Sequence, residues 1–438
     1  MVSDCEIRKL TEEECRFPLR NERKELFPML KLEKGPGIRA GLRDFKLNAN
    51  NISSGITGMV FSISGIVVIF SNIATQAGLS QTQIISWMFT AFLLGGIMSV
   101  LFSLYYKIPL VFTNSLPGMI LCGSLYTMFG MQEMVGGLIM AGALVFLVGI
   151  SGLMDFIKRM LPIPIVMGMV AGVFLSYGVK MVTAVQGDPL VCGVVLLAYL
   201  LTLKLFPKAP AQLVALIMAA LMVIFFSPIK IPVSEMHFGI SHPIFVAPRF
   251  TWNAFVSVSI PIALLALADS IKGYGVLKTN GYNPPMNAVT AVGGLVSMFA
   301  GFSLSNVIGF AGVGTAIVAT DAAGPRERRY VASVMKNLFS IVLALIVGFV
   351  YPLLHGLPTN VSNMLAGLAM LSLFTGSLGT AFGSGKFRLG AFAAMAIGVA
   401  DISIASIGAP IIALVVGTVV SLLAEGGDFK EMLAKNNA

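Results

Sequence analysis

The sequence predicts an all-α membrane protein with many transmembrane helices, and three observations lead to this class. Of its 438 residues, 56% are hydrophobic and only 11% are charged, whereas soluble domains carry about 25% charged residues. The apolar residues form runs of helical length, unlike the alternating pattern of an outer-membrane barrel. The chain also has 46 glycines, which suits helices that pack closely through small residues.

Fourteen apolar runs approach the length of about 20 residues that a membrane span requires. We call them segments 1 to 14. Their approximate bounds are 53–76, 82–104, 109–129, 133–156, 163–184, 188–206, 210–227, 252–274, 285–303, 305–322, 331–351, 358–380, 387–404 and 407–425. Segments 3 and 10 are the most interrupted.

The positive charges between the segments predict the orientation of the chain. If the N-terminal tail, residues 1–50, is a solvated cytoplasmic tail, loops on the same side carry twelve Lys or Arg residues and loops on the other side carry only Lys180, Lys230 and Arg249. Because cytoplasmic loops are enriched in Lys and Arg, we expect both termini, including the tail 426–438, to be cytoplasmic. The net charge of +9 is explained by this distribution and gives no reason to expect binding to nucleic acid.

Fourteen segments divide into two repeats of seven, residues 53–227 and 252–425, joined by an extracytoplasmic loop at 228–251. An odd number of spans places the second repeat upside down relative to the first, which is common in transporters. The third segment of each repeat is the broken one. This correspondence of position is what favours the repeat.

The break in segment 3 has a clear local cause. Pro109 and Pro117 interrupt the run, and β-branched and aromatic residues favour extended backbone over Leu110–Asn114. The sequence therefore predicts an extended stretch followed by a half-helix that begins near Ser115. A half-helix start leaves free N–H groups, and irregular backbone at membrane depth is tolerated only where it lines a cavity or is buried in protein. In transporters, such breaks mark the substrate site.

Ionisable residues inside apolar runs are candidates for function. Asp269 lies late in segment 8, with Lys272 three residues on and on the same helical face. The pair is interpreted either as a local ion pair or as a proton-carrying carboxyl with a partner. Lys336, near the start of segment 11, is expected to extend its side chain to the cytoplasm. Ser71 and Asn72 form part of a polar end on segment 1, where helix packing and substrate contact explain them equally well.

Other chemistry has no support in the sequence. There is no phosphate-binding loop, zinc-protease motif or nucleophile elbow, and the three histidines lie outside the segments. The four cysteines lack metal or redox spacing, so we expect no disulfides. The sequence thus predicts a transporter, not an enzyme, without cofactor or metal.

Several stretches resemble the benzoate:proton symporter family. They are SGIVVIFSNIATQAGLS and KIPLVFTNSLPGMIL in segments 1 and 3, IPIVMGMVAGVFLSYG in segment 5, GVLKTNGYNPPMNAVTAVGGLVSMFAGFSLSN across segments 8 to 10, and DAAGPRERRYVAS before segment 11. The resemblance extends over roughly residues 53–425.

The resemblance implies a core domain of segments 1–4 and 8–11, a gate domain of segments 5–7 and 12–14, and dimerisation through the gate. It places the substrate between the half-helices of segments 3 and 10, next to segment 8. The residues so implicated are Asn114, Ser115, Leu116, Gly312, Val313, Gly314 and Thr315, with Asp269 beside them in segment 8. Phe112 and Phe310 are candidate contacts for an aromatic ring.

One departure leaves the substrate open. Benzoate-type members carry an uncharged Gly-Gln-Asn where this chain has Ala268-Asp269-Ser270. A proton on Asp269 would let an anion bind, so proton-coupled import of a small aromatic carboxylate is the first hypothesis. The alternatives are a transporter of a neutral nucleobase, whose family members use an acidic residue on segment 8, and a passive anion channel.

Overall fold

The computed structural model describes residues 32–154, 162–206, 211–226, 240–400 and 409–437. Within these ranges the chain is mostly helical, and a helix falls on each of the fourteen predicted segments. Six of the described helices are long and apolar enough to cross a membrane, or seven if a bent pair at the C-terminus is one span. The protein is therefore a helical membrane protein with several spans.

The helices have the following bounds. They are Ala49–Phe61, a π-helical stretch Ser62–Val67 and Val68–Ala77 in segment 1; Gln81–Tyr106 in 2; Leu116–Met128 in 3; Met131–Ile150 in 4; Ile163–Gly187 in 5; Pro189–Leu205 in 6; Ala211–Phe226 in 7; Trp252–Ala254, a π-helical stretch Phe255–Ser259 and Ile260–Thr279 in 8; Met286–Gly301 in 9; Gly312–Val318 in 10; Arg329–His355 in 11; Thr359–Phe382 in 12; Arg388–Ala400 in 13; and Ala409–Ala424 in 14. Two further helices are Ile38–Arg43 and Gly426–Asn437.

The breaks in segments 3 and 10 meet as two short antiparallel strands, β1 (Phe112–Asn114) and β2 (Ile308–Phe310). Thr113 lies opposite Gly309 at the centre of the pair. The strand pairing satisfies backbone groups that have no water to bond to at this depth. The predicted extended stretch and the half-helix that begins after Ser115 are both confirmed.

At the outer edge of each strand, a backbone N–H donates a hydrogen bond to a serine of a neighbouring helix. The Phe112 N–H donates to Ser99 Oγ over 2.7 Å, and the Ile308 N–H donates to Ser297 Oγ over 2.9 Å. Each serine also donates to the carbonyl of a glycine four residues earlier.

Those glycines are required by close packing. A Cβ on Gly95 would lie 2.9 Å from the Phe112 carbonyl oxygen, and one on Gly293 would lie 3.1 Å from that of Ile308. The sequences are Gly-Gly-Ile-Met-Ser at 95–99 and Gly-Gly-Leu-Val-Ser at 293–297. The two halves therefore share a residue pattern as well as the position of their breaks.

Helix packing also follows a repeated order. Segment 2 packs on segment 11 and segment 9 on segment 4; segment 1 packs on segment 11 and segment 8 on segment 4. In both cases the second pair is the first pair moved into the other repeat. Seven is added to the segment number from the first repeat and subtracted from the segment number from the second. Segments 5 and 12, which are exchanged by the same rule, pack on each other.

The described part of the N-terminal tail contacts the helix ends, although in residues 32–45 only Gly41 is buried. The Glu33 carboxylate accepts hydrogen bonds from the N–H groups of Asn287 and Ala288, at 3.1 and 2.9 Å, at the start of segment 9. Lys107, which follows segment 2, donates to Asp44 over 2.6 Å. This bond holds the pKa of the exposed Asp44 carboxyl below its usual value. Residues 1–31 lie outside the described ranges.

The loop between the halves is extended where the structure describes it, at 240–251, while 228–239 lies outside the description. The N–H groups of Ser241, Val246 and Arg249 donate to carbonyls of Leu345, Phe302 and Gln132, which lie in or beside segments 11, 9 and 4. At the other end of the chain, the predicted tail 426–438 forms a helix, bent by 97° from segment 14. Its Asp428 accepts a hydrogen bond from the Phe387 N–H before segment 13.

Candidate functional site

A buried cavity lies beside the paired strands, where segments 3 and 10 cross. Segments 1, 3, 8, 10 and 11 surround it. The described residues that line it are Phe61, Ser62, Ile66, Thr113, Leu116, Asp269, Ala311, Gly314 and Lys336. The space that the centre of a water-sized sphere can occupy is only about 10 Å³, which holds about one water molecule. An aromatic ring is several times larger, so the surrounding helices must separate before such a ligand can enter.

Asp269 brings a carboxylate into this cavity from the helix Ile260–Thr279. The residue is only 8% exposed, and its carboxylate interacts with the nearby Gly312 N–H at the start of the half-helix of segment 10. Lys272 lies beside it one turn on and interacts with it through charge. A Cβ on Gly312 would lie 3.0 Å from the Cβ of Lys272, so the glycine lets these two helices approach.

Lys336 lies in the same cavity, and the expectation that it reaches the cytoplasm was wrong. It is 5% exposed, and its stem packs where Gly58 of segment 1 has no side chain: a Cβ there would lie 2.6 Å from Lys336 Cγ. Its Nζ donates to Asn337 Oδ1 over 3.2 Å. Lys336 is seven residues into a helix that begins at Arg329, about 10 Å along the axis. That depth was the sequence signal for a buried position.

The residues predicted in segment 3 divide between two roles. Leu116 lines the cavity, as does Thr113, which sequence reasoning did not include. Asn114 is instead turned to Ser305, whose Oγ donates to Asn114 Oδ1 over 3.2 Å. Ser115 caps the half-helix by accepting from the Gly118 N–H. Asn114 and Ser115 thus hold the break in shape.

The residues predicted in segment 10 also differ in position. Gly314 lines the cavity, yet a Cβ there would lie 2.7 Å from Val111 Cγ1. Thr315 is fully buried, and its Oγ has no hydrogen-bond partner among the described residues. Val313 follows Gly312 in the half-helix, and its side chain lies outside the description.

In segment 1 the cavity is lined about one and a half to three turns before the predicted residues. Phe61, Ser62 and Ile66 line it, at a π-helical stretch of the kind often found at functional sites. Ser71 is buried further along the helix, and the side chain of Asn72 lies outside the description. The polar, glycine-containing SISG at 62–65 was the available signal.

The two phenylalanines that were candidate contacts for an aromatic ring of the substrate are core residues. Phe112 and Phe310 are 1% exposed, pack against each other with ring centroids 6.4 Å apart, and do not line the described cavity. Phe310 fills the space beside Gly273, where a Cβ would lie 2.7 Å from its ring. Phe61 is the aromatic side chain that lines the cavity.

The fold is shared with proteins of known structure. SLC26A9 matches with a TM-score of 0.60 at 15% identity, covering 88% of this chain and 67% of that one. The transmembrane domain of a cyanobacterial bicarbonate transporter, BicA, matches with a TM-score of 0.53 at 14% identity, covering 89% of this chain and 100% of that one. The murine Slc26a9 anion transporter in the inward-facing state gives 0.58 at 15%, covering 95% and 74%. Identities this low show the fold alone.

The chain is thus a helical membrane protein in which a charged cavity is buried beside the breaks of two segments. The chain belongs to the benzoate membrane transport protein family, whose model matches residues 45–423. It is 29% identical over 338 residues to the benzoate membrane transport protein of Acinetobacter baylyi, covering 77% of this chain and 84% of that protein. It is 26% identical over 381 residues to the inner membrane protein YdcO of Escherichia coli, covering 86% and 96%. The predicted resemblance is confirmed, and the protein is a transporter and not an enzyme.

Proposed function

We propose that this protein imports a small aromatic carboxylate of the benzoate type together with protons. The observation that carries the proposal is the buried cavity at the crossing of segments 3 and 10, which is lined by both Asp269 and Lys336. Membership of a benzoate transport family supports the substrate class. Phe61, Ile66 and Leu116 supply apolar walls for a ring.

In this proposal Asp269 is the coupling residue. Its ionised carboxylate occupies the Gly312 N–H and repels a second carboxylate. A proton on Asp269 removes the repulsion and weakens the bond to Gly312, so that the substrate anion can take up this N–H. Protonation and substrate binding would then favour each other, which is the requirement for symport.

We further propose that access alternates by movement of the core against the gate. The described lining residues all come from segments assigned to the core, and the cavity is too small for a ring while the helices stay together. The repeated Gly-Gly-x-x-Ser pattern and the order of helix packing support two inverted repeats and fourteen spans. Both termini would face the cytoplasm, across a bacterial inner membrane, as a homodimer joined through the gate.

A nucleobase transporter is the second candidate, because a cavity carboxylate can accept N–H groups of a neutral ring. Lys336 argues against it, since a neutral ligand leaves the buried ammonium group without a counter-charge.

Transport by reconstituted protein tests these functions together. Proteoliposomes with an acidic outer and neutral inner buffer should accumulate radiolabelled benzoate faster than protein-free liposomes, into which benzoic acid enters passively, and a protonophore should abolish the excess. Unlabelled uracil at the same concentration should not compete. Equilibration without accumulation would indicate a channel, and accumulation of uracil but not benzoate would establish the nucleobase alternative.

A further inference from the structure

We propose that the ammonium group of Lys336 binds the carboxylate of the transported substrate, an assignment that rests on the function proposed above. Lys336 is 5% exposed and lines the cavity at the crossing of the broken segments. In the part of the chain that the structure describes, no acidic oxygen lies within 4.0 Å of its Nζ. A buried ammonium without a counter-ion is costly, and a carboxylate ligand supplies that counter-ion.

The lysine is held in position by its neighbours. Its stem fills the space beside Gly58. Its Nζ donates to Asn337 Oδ1 over 3.2 Å, and Asn337 Nδ2 donates to the Ser333 carbonyl over 2.7 Å, which fixes the amide with its oxygen toward the lysine. A lysine ammonium has three donors. Asn337 uses one of them, so two remain for a ligand.

The charges around the cavity fit a ligand with one negative charge. Asp269 from segment 8 is the other charged group that lines the cavity, and Lys272 lies beside Asp269. The described parts of segments 1, 2 and 10, which pack against segment 11, bring no further charged side chain to the cavity. The cluster has a net charge of +1 with all three groups ionised and +2 when Asp269 carries the proton of the proposed coupling, so a monocarboxylate meets excess positive charge in either state. Lys272 balances Asp269, and Lys336 is left for the substrate.

Binding measurements can separate this role from a structural one. Benzoate and benzamide have the same ring and nearly the same shape, but only benzoate has a negative charge. We would measure the Kd of each by isothermal titration calorimetry on the purified full-length protein in detergent at pH 7. The wild type should prefer benzoate, and Lys336→Met should weaken benzoate binding about 10- to 100-fold, the usual worth of a hydrogen bond to a charged group, while leaving benzamide nearly unchanged.

Three variants serve as controls. Lys336→Arg keeps the charge and should keep the preference for benzoate. Lys204→Met removes an exposed lysine at the end of segment 6 and should have no effect. Lys336→Gln repeats the test with a polar side chain, and a thermal melt of each variant establishes that it is folded.

Each outcome decides a different point. If Lys336→Met or, where that variant does not fold, Lys336→Gln keeps the wild-type preference, the assignment of Lys336 is wrong while the proposed function stands. If Lys272→Met abolishes the preference and Lys336→Met does not, the carboxylate is bound by Lys272. If the wild type binds neither benzoate nor any other aromatic carboxylate, the proposed function fails and the role of Lys336 with it.

Discussion

The two broken segments solve the same problem in different ways. In segment 3 the half-helix has 13 residues, and its own Ser115 caps it by accepting from the Gly118 N–H. In segment 10 the half-helix has 7 residues and no side-chain cap of its own at Ala311; the carboxylate of Asp269 from segment 8 interacts with the nearby Gly312 N–H instead. The start of the first half-helix is capped by a neutral side chain of its own segment. The second is closed by a carboxylate, whose charge a proton can remove. Under the proposed function, this difference assigns the coupling step to the second half of the chain.

The largest effect is therefore expected at Asp269. Asp269→Asn is nearly isosteric but cannot carry a negative charge, so it should abolish accumulation of benzoate driven by a pH gradient. Exchange of labelled for unlabelled benzoate across the membrane should persist, because it needs no net proton movement. Both are measured in the same proteoliposomes.

Ser115→Ala is the matched control, because it removes the cap of the other half-helix. It should lower thermal stability by the equivalent of about 1 kcal/mol and keep proton-driven accumulation. Normal accumulation by Asp269→Asn, or loss of coupling in Ser115→Ala with stability unchanged, would contradict the division of roles.

The next largest effect is expected at the glycines of segment 10. Gly312→Leu would drive a side chain into Lys272, and Gly314→Leu would drive one into Val111. Both should reduce benzoate uptake at least about tenfold. Overpacking displaces the half-helix and costs about 1–3 kcal/mol. The reason is displaced helix packing in addition to occlusion of the cavity. Uptake at the wild-type rate by Gly314→Leu would remove it from the site.

Matched serines test whether the two breaks are equivalent outside the site. Ser99→Ala and Ser297→Ala each leave the outer N–H of a strand, at Phe112 or Ile308, without its partner. Each should destabilise the protein by about 1–3 kcal/mol, measured as the midpoint of thermal unfolding in detergent. Equal losses are expected from the repeated Gly-Gly-x-x-Ser pattern. A large loss of stability in one variant and none in the other would show that the two serines do not contribute equally to the stability of the protein.

The smallest effect is expected at Asp44, which ties the tail to the turn before segment 3. Its folded-state pKa lies below the usual 3.8 because Lys107 donates to it, so its contribution to stability is present above pH 3.8 and is lost as the pH falls through the lowered value. Asp44→Asn should lower the melting temperature slightly at pH 7, and its difference from the wild type should shrink as the pH falls below 3.8. The pair is exposed, and such pairs contribute little. A large drop at pH 7 would mean that the tail holds segment 3 in place.

The amino-acid sequence by itself determined which parts of the chain are helical and where they break. Runs of apolar residues form helices in a bilayer because backbone groups there must bond within the helix. Pro109 and Pro117 interrupt segment 3, since proline lacks an N–H and restricts the residue before it. Asp269 was recognised because a carboxyl in an apolar run is rarely without function.

Only the tertiary structure decided which side chains meet at the site. Phe112 and Phe310 are in the core because the strand pairing sets the direction of their side chains, whereas Phe61, at the end of a helix of segment 1, lines the cavity. Lys336 lies in the cavity and not at the membrane surface because Gly58, far away in the sequence, leaves room for its stem. The local pattern of segment 11 contains no information about Gly58. A pattern along one helix gives the depth of a residue, while its neighbours on other helices determine what it faces.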